Sequence, residues 1–313
     1  MMQLLIPETI KTAKLAAEAA AALGRLEERL ALSGVRAALA ARLRILERAA
    51  LAWADGHLID SDSLATGLAF ADDEVMPWSA AFGRALAIGH WADVDALLDW
   101  LGVSRTWQPA EGDAVWAQVS RRSGPDTRAR ALEWIEAMAA APAMPPLLRS
   151  AYAAATWKAL LPLGRGDIGV ALLLGDRLLV GKAPISNGGL VALGLKRLGQ
   201  HWRLVDGDHE LGVWLEAVRA GAEQALQTER SLRLMAERCQ RLVDRHPRSR
   251  HLGAVLEVAL AEPVVTARLV ETRLKVSFPT AAAALELGRQ GGILREVTGQ
   301  SSYRRYALAL RIA

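Results

Sequence analysis

The sequence predicts a mainly α-helical chain that ends in a winged helix-turn-helix with a small β-hairpin wing. Three observations predict it. Alanine- and leucine-rich stretches with helical periodicity run through most of the 313 residues. Glycine and proline break these stretches at short intervals. Two short β-type runs, Ile293–Thr298 and Tyr303–Leu308, follow the last helical stretch and are joined by Gly299-Gln300-Ser301-Ser302.

Taken in order, Pro7–Leu32 reads as one long helix, with Leu15, Ala19, Ala22 and Leu26 on a single face and Gly34 closing it. A second helix runs over Val35–Ala54, with Leu39, Leu43, Leu46, Ala50 and Trp53 as its apolar stripe, and stops at Asp55-Gly56. Residues 57–63 form a polar turn in which Ser61 or Asp62 can cap the next helix. Helical pieces over 64–102 break at Pro77 and Gly102, and 105–113 is a loop. Thr127–Ala140 is helical with Asp126 as its cap, and Leu147–Leu161 is helical again. The segment 170–180 fits either a hairpin turning at Gly175-Asp176 or a helix. Leu190–Leu198 and a long amphipathic stretch, Glu210–Asp244, complete the body, which gives way at His246-Pro247.

The last part carries the most specific pattern. A helix over His251–Leu260 is stopped by Pro263. Thr266 caps a short helix reaching Leu274, and 275–278 makes the turn. Pro279 opens a third helix, where its missing N–H costs nothing, and Gly291-Gly292 ends it. In such a layout the third helix can lie in the DNA major groove. The expected domains are a helical pair over 1–65, a helical body over 66–245 and the winged helix-turn-helix over 246–313.

Charge points to DNA as partner. From Arg248 onward there are ten Lys/Arg and five Asp/Glu, a net of +5, against +4 for the whole chain. The expected DNA-binding residues are Arg268, Arg273, Lys275, Ser277, Thr280, Arg289, Arg304 and Arg305. The third helix is mostly alanine, so direct base readout has little to work with beyond Thr280, Glu286, Arg289 and Gln290. A module that only holds protein partners is the competing reading of the same layout.

Composition excludes several classes. No apolar run reaches roughly eighteen residues, so no membrane span is expected. The first residues lack a basic signal-peptide start, and a cytoplasmic bacterial protein is expected. The single Cys239 excludes an internal disulfide and a thiolate zinc site. All ten Trp lie at or before Trp214, which separates the body from the last hundred residues. Gly164–Gly169 matches G-x-G-x-x-G, but a helix precedes it, and Ser186 and Asn187 stand where a dinucleotide site needs an acid. Gly181-Lys182 lacks the rest of a phosphate-binding loop. Asp206, Asp208, His209 and Glu210 read as a solvated loop rather than a metal site. No cofactor and no metal are expected.

Several stretches resemble bacterial Fic-family proteins: Trp214–Val218, Glu262–Val265 and the wing-like Gly292–Gly299, and more faintly Ala22–Leu26 and Glu47–Leu64. Residues 70–145 have no counterpart. The resemblance implies a helical catalytic body followed by a winged helix. That family's signature is His-Pro-Phe-x-x-Gly-Asn-Gly-Arg, with histidine as general base and a glycine-rich turn holding nucleotide phosphates. The matching stretch here is Leu161 through Gly169: Pro162 and Gly164 remain, Arg165 and Gly166 follow, Leu161 replaces the base, Asp167 the asparagine and Gly169 the arginine. Leu51 and Asp55 stand for the serine and glutamate of the family's inhibitory motif. The chain also resembles bacterial proteins with a C-terminal helix-turn-helix DNA-binding domain. The implied protein is a non-enzymatic transcriptional regulator on an inactive Fic-like scaffold. That scaffold is expected to serve dimerisation or the sensing of a small-molecule effector. The alternatives are a transferase of AMP or phosphoryl groups rewired through Arg165, Asp167 and Lys182, and a scaffold that partners an active Fic enzyme.

Overall fold

The structure, a computed structural model, describes residues 10–59, 61, 63–65, 78, 81–84, 93–103, 125–163, 167–179, 186–202, 207–298 and 304–310. It is mainly helical. The helices are α1 (Ile10–Leu32), α2 (Arg36–Ala54), α3 (Val94–Leu101), α4 (Pro125–Ala140), α5 (Pro146–Leu160), α6 (Asp167–Leu179), α7 (Leu190–Leu198), α8 (Gly207–Arg245) and α9 (Leu252–Ala261). Then come β1 (Val265–Thr266), α10 (Ala267–Leu274), α11 (Phe278–Gln290), β2 (Leu294–Glu296) and β3 (Arg305–Leu308).

The chain divides into two compact units. One comprises Met1–Glu27, Leu46–Ile59 and Asp73–Gln224; the other comprises Glu28–Ile45, Asp60–Asp72 and Ala225–Ala313.

The first unit is built on α5 and α6. Trp134, Trp157 and Trp214 are fully buried in it. Each satisfies its indole N–H: Trp134 donates to the Ala153 carbonyl at 2.9 Å, Trp157 to Asp167 at 2.9 Å and Trp214 to the Ser150 hydroxyl at 3.1 Å. Trp134 and Trp157 meet edge to face, 5.4 Å between ring centres. The open choice at 170–180 resolves as helix over the described residues. Val170 through Asp176 are all buried, so no exposed face marks the helical period.

Several expectations are corrected. The 127–140 helix begins at Pro125, which places Asp126 inside the first turn rather than at the cap. Leu161 lies beyond α5 as a left-handed cap with φ 45°, because the chain turns there into α6. Over 207–210 the expected solvated loop is helix: α8 starts at Gly207, and Glu210 is 4% exposed against Lys158, its carboxylate 3.1 Å from the ammonium. The expectations at Pro7, Asp62, Pro77, 105–113, Gly164–Gly166, Lys182, Asp206 and the wing tip 299–303 lie outside the described residues.

The second unit holds the C-terminal module. Ile45, Ala65 and Val264 form a small apolar cluster with Leu64 and Val297. Arg42 is 6% exposed, and its guanidinium donates to the carbonyls of Ala259 (3.0 Å), Leu260 (2.6 Å) and Glu262 (2.9 Å). It therefore caps the C-terminus of α9, where carbonyls lack helical partners and the helix dipole favours a cation. Burial lowers the Arg42 pKa to about 10, well within the charged range at neutral pH.

Candidate nucleic-acid interface

The three helices α9, α10 and α11 form the helix-turn-helix. Thr266 caps α10, its hydroxyl accepting from the Leu269 N–H at 3.1 Å. Lys275 ends α10 in the left-handed region at φ 53° and is exposed. Ser277 caps α11 by accepting from the Thr280 N–H at 3.4 Å, and the two hydroxyls lie 2.8 Å apart. Phe278 is the first helical residue, so the expected turn is one residue shorter and Pro279 is second in the helix.

The face of α11 toward the core consists of Ala281, Ala284, Leu285 and Gly288. The opposite face carries Pro279, Ala283, Glu286 and Gln290, with Arg289 at its edge; Ala283, Arg289 and Gln290 are exposed. Phe278, 49% exposed, sits at the start of the helix. The outward surface is thus apolar at its N-terminal end and polar at its C-terminal end.

Gly292, at φ 67°, turns the chain from α11 into the wing. The sheet has the order β1-β3-β2, antiparallel throughout. Val265 pairs with Tyr306 and Thr266 with Arg305 on one side of β3; Leu294 pairs with Leu308 and Glu296 with Tyr306 on the other. The strand β1, two residues between α9 and α10, is an addition to the expected hairpin. It ties the start of the helix-turn-helix to the wing.

The eight expected DNA-binding residues all fall in this module. Around Glu286 the structure gathers Arg289, Gln290 and Arg304. Arg289 donates to both carboxylate oxygens, at 2.9 and 2.5 Å, and Gln290 donates at 3.1 Å. Arg304 lies 3.9 Å from Glu286 and 3.8 Å from Glu296. The bonds from Arg289 and Gln290 hold the Glu286 carboxyl down at about 2, and the same contact raises the Arg289 pKa. Arg268 pairs with Glu271 at 2.9 Å, and Arg273 pairs with Glu262. Arg305 lies in β3, its N–H donating to the Thr298 hydroxyl at 3.2 Å.

Four of the expected cations are thus bound to carboxylates of the same module. Sequence reasoning named the cations and missed this pairing. The Glu286/Arg289 and Arg268/Glu271 pairs are nonetheless readable, as i,i+3 spacing on a helix.

In the body, two carboxylates accept from the backbone N–H groups of Leu163 and Gly169. Asp167, 1% exposed, accepts from the Leu163 N–H (3.1 and 3.0 Å) and the Trp157 indole (2.9 Å). Asp55 accepts from the Gly169 N–H at 2.7 Å and the Trp78 indole at 2.7 Å. A Cβ at Gly169 would meet Asp55 at 2.4 Å and Trp78 at 2.6 Å, so only glycine admits this approach. Burial raises the Asp55 pKa to about 6 against the lowering effect of those two bonds. Leu161, 45% exposed, offers no titratable group.

Among the described residues no helix is long and apolar enough to cross a membrane, and no group of three or more His, Cys, Asp or Glu side chains could hold a metal ion. No curated protein matches the chain. Residues 252–308, from α9 to the end of β3, match the family model described as an HTH DNA binding domain, and over this stretch the chain is similar to that family.

Proposed function

We propose that this protein is a non-enzymatic DNA-binding protein and a transcriptional regulator, with α11 as the helix that enters the major groove. The observation that carries the reading is the winged helix-turn-helix, matched over 252–308, with a net positive charge on its sequence. Arg268, Arg273, Lys275, Arg304 and Arg305 serve phosphates, and Arg289 and Gln290 serve base edges. Ala282, Ala283 and Phe278 suit contact with thymine methyl groups. Arginines held by carboxylates must exchange partners on binding, which moderates non-specific affinity. Mobility shift with the full protein on a random duplex pool tests the reading.

The body is read as an inactive Fic-like scaffold. What supports this is the pairing of Asp55 with Gly169, the two positions that the resemblance equates with the inhibitory glutamate and the phosphate-binding arginine. The N–H of Gly169, in the first turn of α6, is taken by a carboxylate of the same chain, where an active site would present it to phosphate. Incubation with labelled ATP, magnesium and a protein target is expected to give no label transfer; transfer would restore the transferase reading.

A further inference from the structure

The body contains a cavity of about 400 Å³ that the DNA reading does not use. It is lined by Trp53, Lys158, Ile168, Leu195, His201 and Trp202. Its size lies within the range of small-molecule sites, roughly 300–1,000 Å³. Three features of its wall specify a ligand.

The first is aromatic surface. The rings of Trp53 and His201 stack 4.5 Å apart at 19°, and Trp202 packs against Trp214 with centres 5.3 Å apart. Flat π surface of this kind favours a planar ring. The second is hydrogen-bond donors. Trp202 is 4% exposed, and its indole N–H is buried with no hydrogen-bond partner among the described residues. This contrasts with Trp78, Trp134, Trp157 and Trp214, whose indole N–H groups each have a named acceptor. Buried donors are nearly always satisfied, so one left open on a residue that lines a cavity points to an acceptor supplied by a ligand. Lys158, 5% exposed, adds a second donor group to the wall. The third is charge balance. Glu210 holds the Lys158 ammonium at 3.1 Å, and that ammonium lies 3.9 Å from the centre of the Trp202 ring. The cation is already compensated, and an anionic ligand would meet the Glu210 carboxylate beside it.

We propose that this cavity binds a neutral, planar aromatic molecule that carries a hydrogen-bond acceptor, such as a carbonyl oxygen or a ring nitrogen, directed at Trp202 and Lys158. Trp53 and His201 supply the stacking surface. The site is independent of the DNA-binding reading and stands or falls without it.

The test uses the full protein and three probes of one shape: 2-naphthamide, 2-naphthoate and 2-naphthylmethylammonium. Calorimetry measures affinity, and indole ¹H–¹⁵N spectra follow the Trp202 signal, identified by its loss in Trp202→Phe. The expected result is saturable one-to-one binding of the amide with a shift of the Trp202 signal. Both charged probes bind at least fivefold more weakly. Trp202→Phe, which keeps a ring but removes the N–H, weakens the amide at least fivefold. Trp53→Leu, at a half-buried position, does the same through loss of stacking. Absence of saturable binding by the amide overturns the proposal. So does unchanged affinity in both variants, and so does binding of the naphthoate as tight as that of the amide.

Discussion

Glu286 accepts a hydrogen bond from Arg289 Nε at 2.9 Å across one turn of α11, so the one Lys or Arg side chain of that helix is neutralised by its own helix. On the proposed reading, in which α11 enters the major groove, this carboxylate lies on the face turned to DNA. Glu286→Gln removes a charge that repels phosphate and releases the Arg289 fork. The expected result is non-specific DNA affinity higher by roughly three- to tenfold at low salt, with poorer discrimination among sequences. Fluorescence anisotropy on specific and scrambled duplexes reads both effects. Lower affinity of the variant for all sequences would show that Glu286 supports binding instead.

The wing makes a separate prediction. Arg304, 45% exposed, lies 3.8 and 3.9 Å from two carboxylates, and Arg305 lies next to it in β3. Arg304→Ala with Arg305→Ala weakens binding evenly across sequences and lowers the slope of log affinity against log salt by about one to two. An unchanged slope would remove the wing from the interface.

Ser277 separates two roles that look alike in sequence. Its hydroxyl caps α11 in the structure. Ser277→Ala is therefore expected to cost about 1 kcal/mol of stability, measured by urea unfolding. Ser277→Asp, which keeps the cap but adds a negative charge, retains stability and loses DNA affinity.

Arg42 anchors α9 from a point more than two hundred residues earlier in the chain. Arg42→Ala leaves three buried or half-buried carbonyls without their donor, and about 3 kcal/mol of stability is expected to be lost. Arg42→Lys recovers only part, because an ammonium cannot reproduce the guanidinium fork. A full recovery by lysine in thermal unfolding would show that charge alone, without geometry, holds this helix end.

Asp55 sets a pH dependence. Its folded pKa of about 6 lies above the ordinary 3.8, so the folded state holds the proton more tightly than the unfolded chain. Stability contributed by this group is highest below about pH 4 and falls as pH rises through 6, by on the order of 3 kcal/mol. Asp55→Asn removes that decline. Unfolding curves between pH 4 and 7 should show the variant gaining on the parent as pH rises; parallel curves would contradict the burial argument.

Local chemistry made much of the C-terminal module legible. Thr266 caps the helix it precedes, Pro263 and Pro279 mark boundaries, and Gly292 adopts the positive φ that ends the third helix, whereas Ser277, expected in the turn, is itself a cap. What could not be read depends on contacts distant in sequence. The strand β1 is two residues long and exists only through pairing with β3, some forty residues on. The burial of Glu210 depends on Lys158, and the cap on α9 depends on Arg42; neither pairing leaves a trace in spacing. The helix α6 was ambiguous because it is buried nearly all round, which erases the periodicity that identifies a surface helix.

The most direct measurement is selection of duplexes from a random-sequence pool by the full protein, at about 0.05 and 0.2 M salt. The account predicts enrichment of a defined site, with binding weakened by a hundredfold or more at the higher salt through release of counterions from several phosphate contacts. Failure to retain any duplex at either salt would contradict DNA binding and assign the winged helix-turn-helix to holding a protein partner.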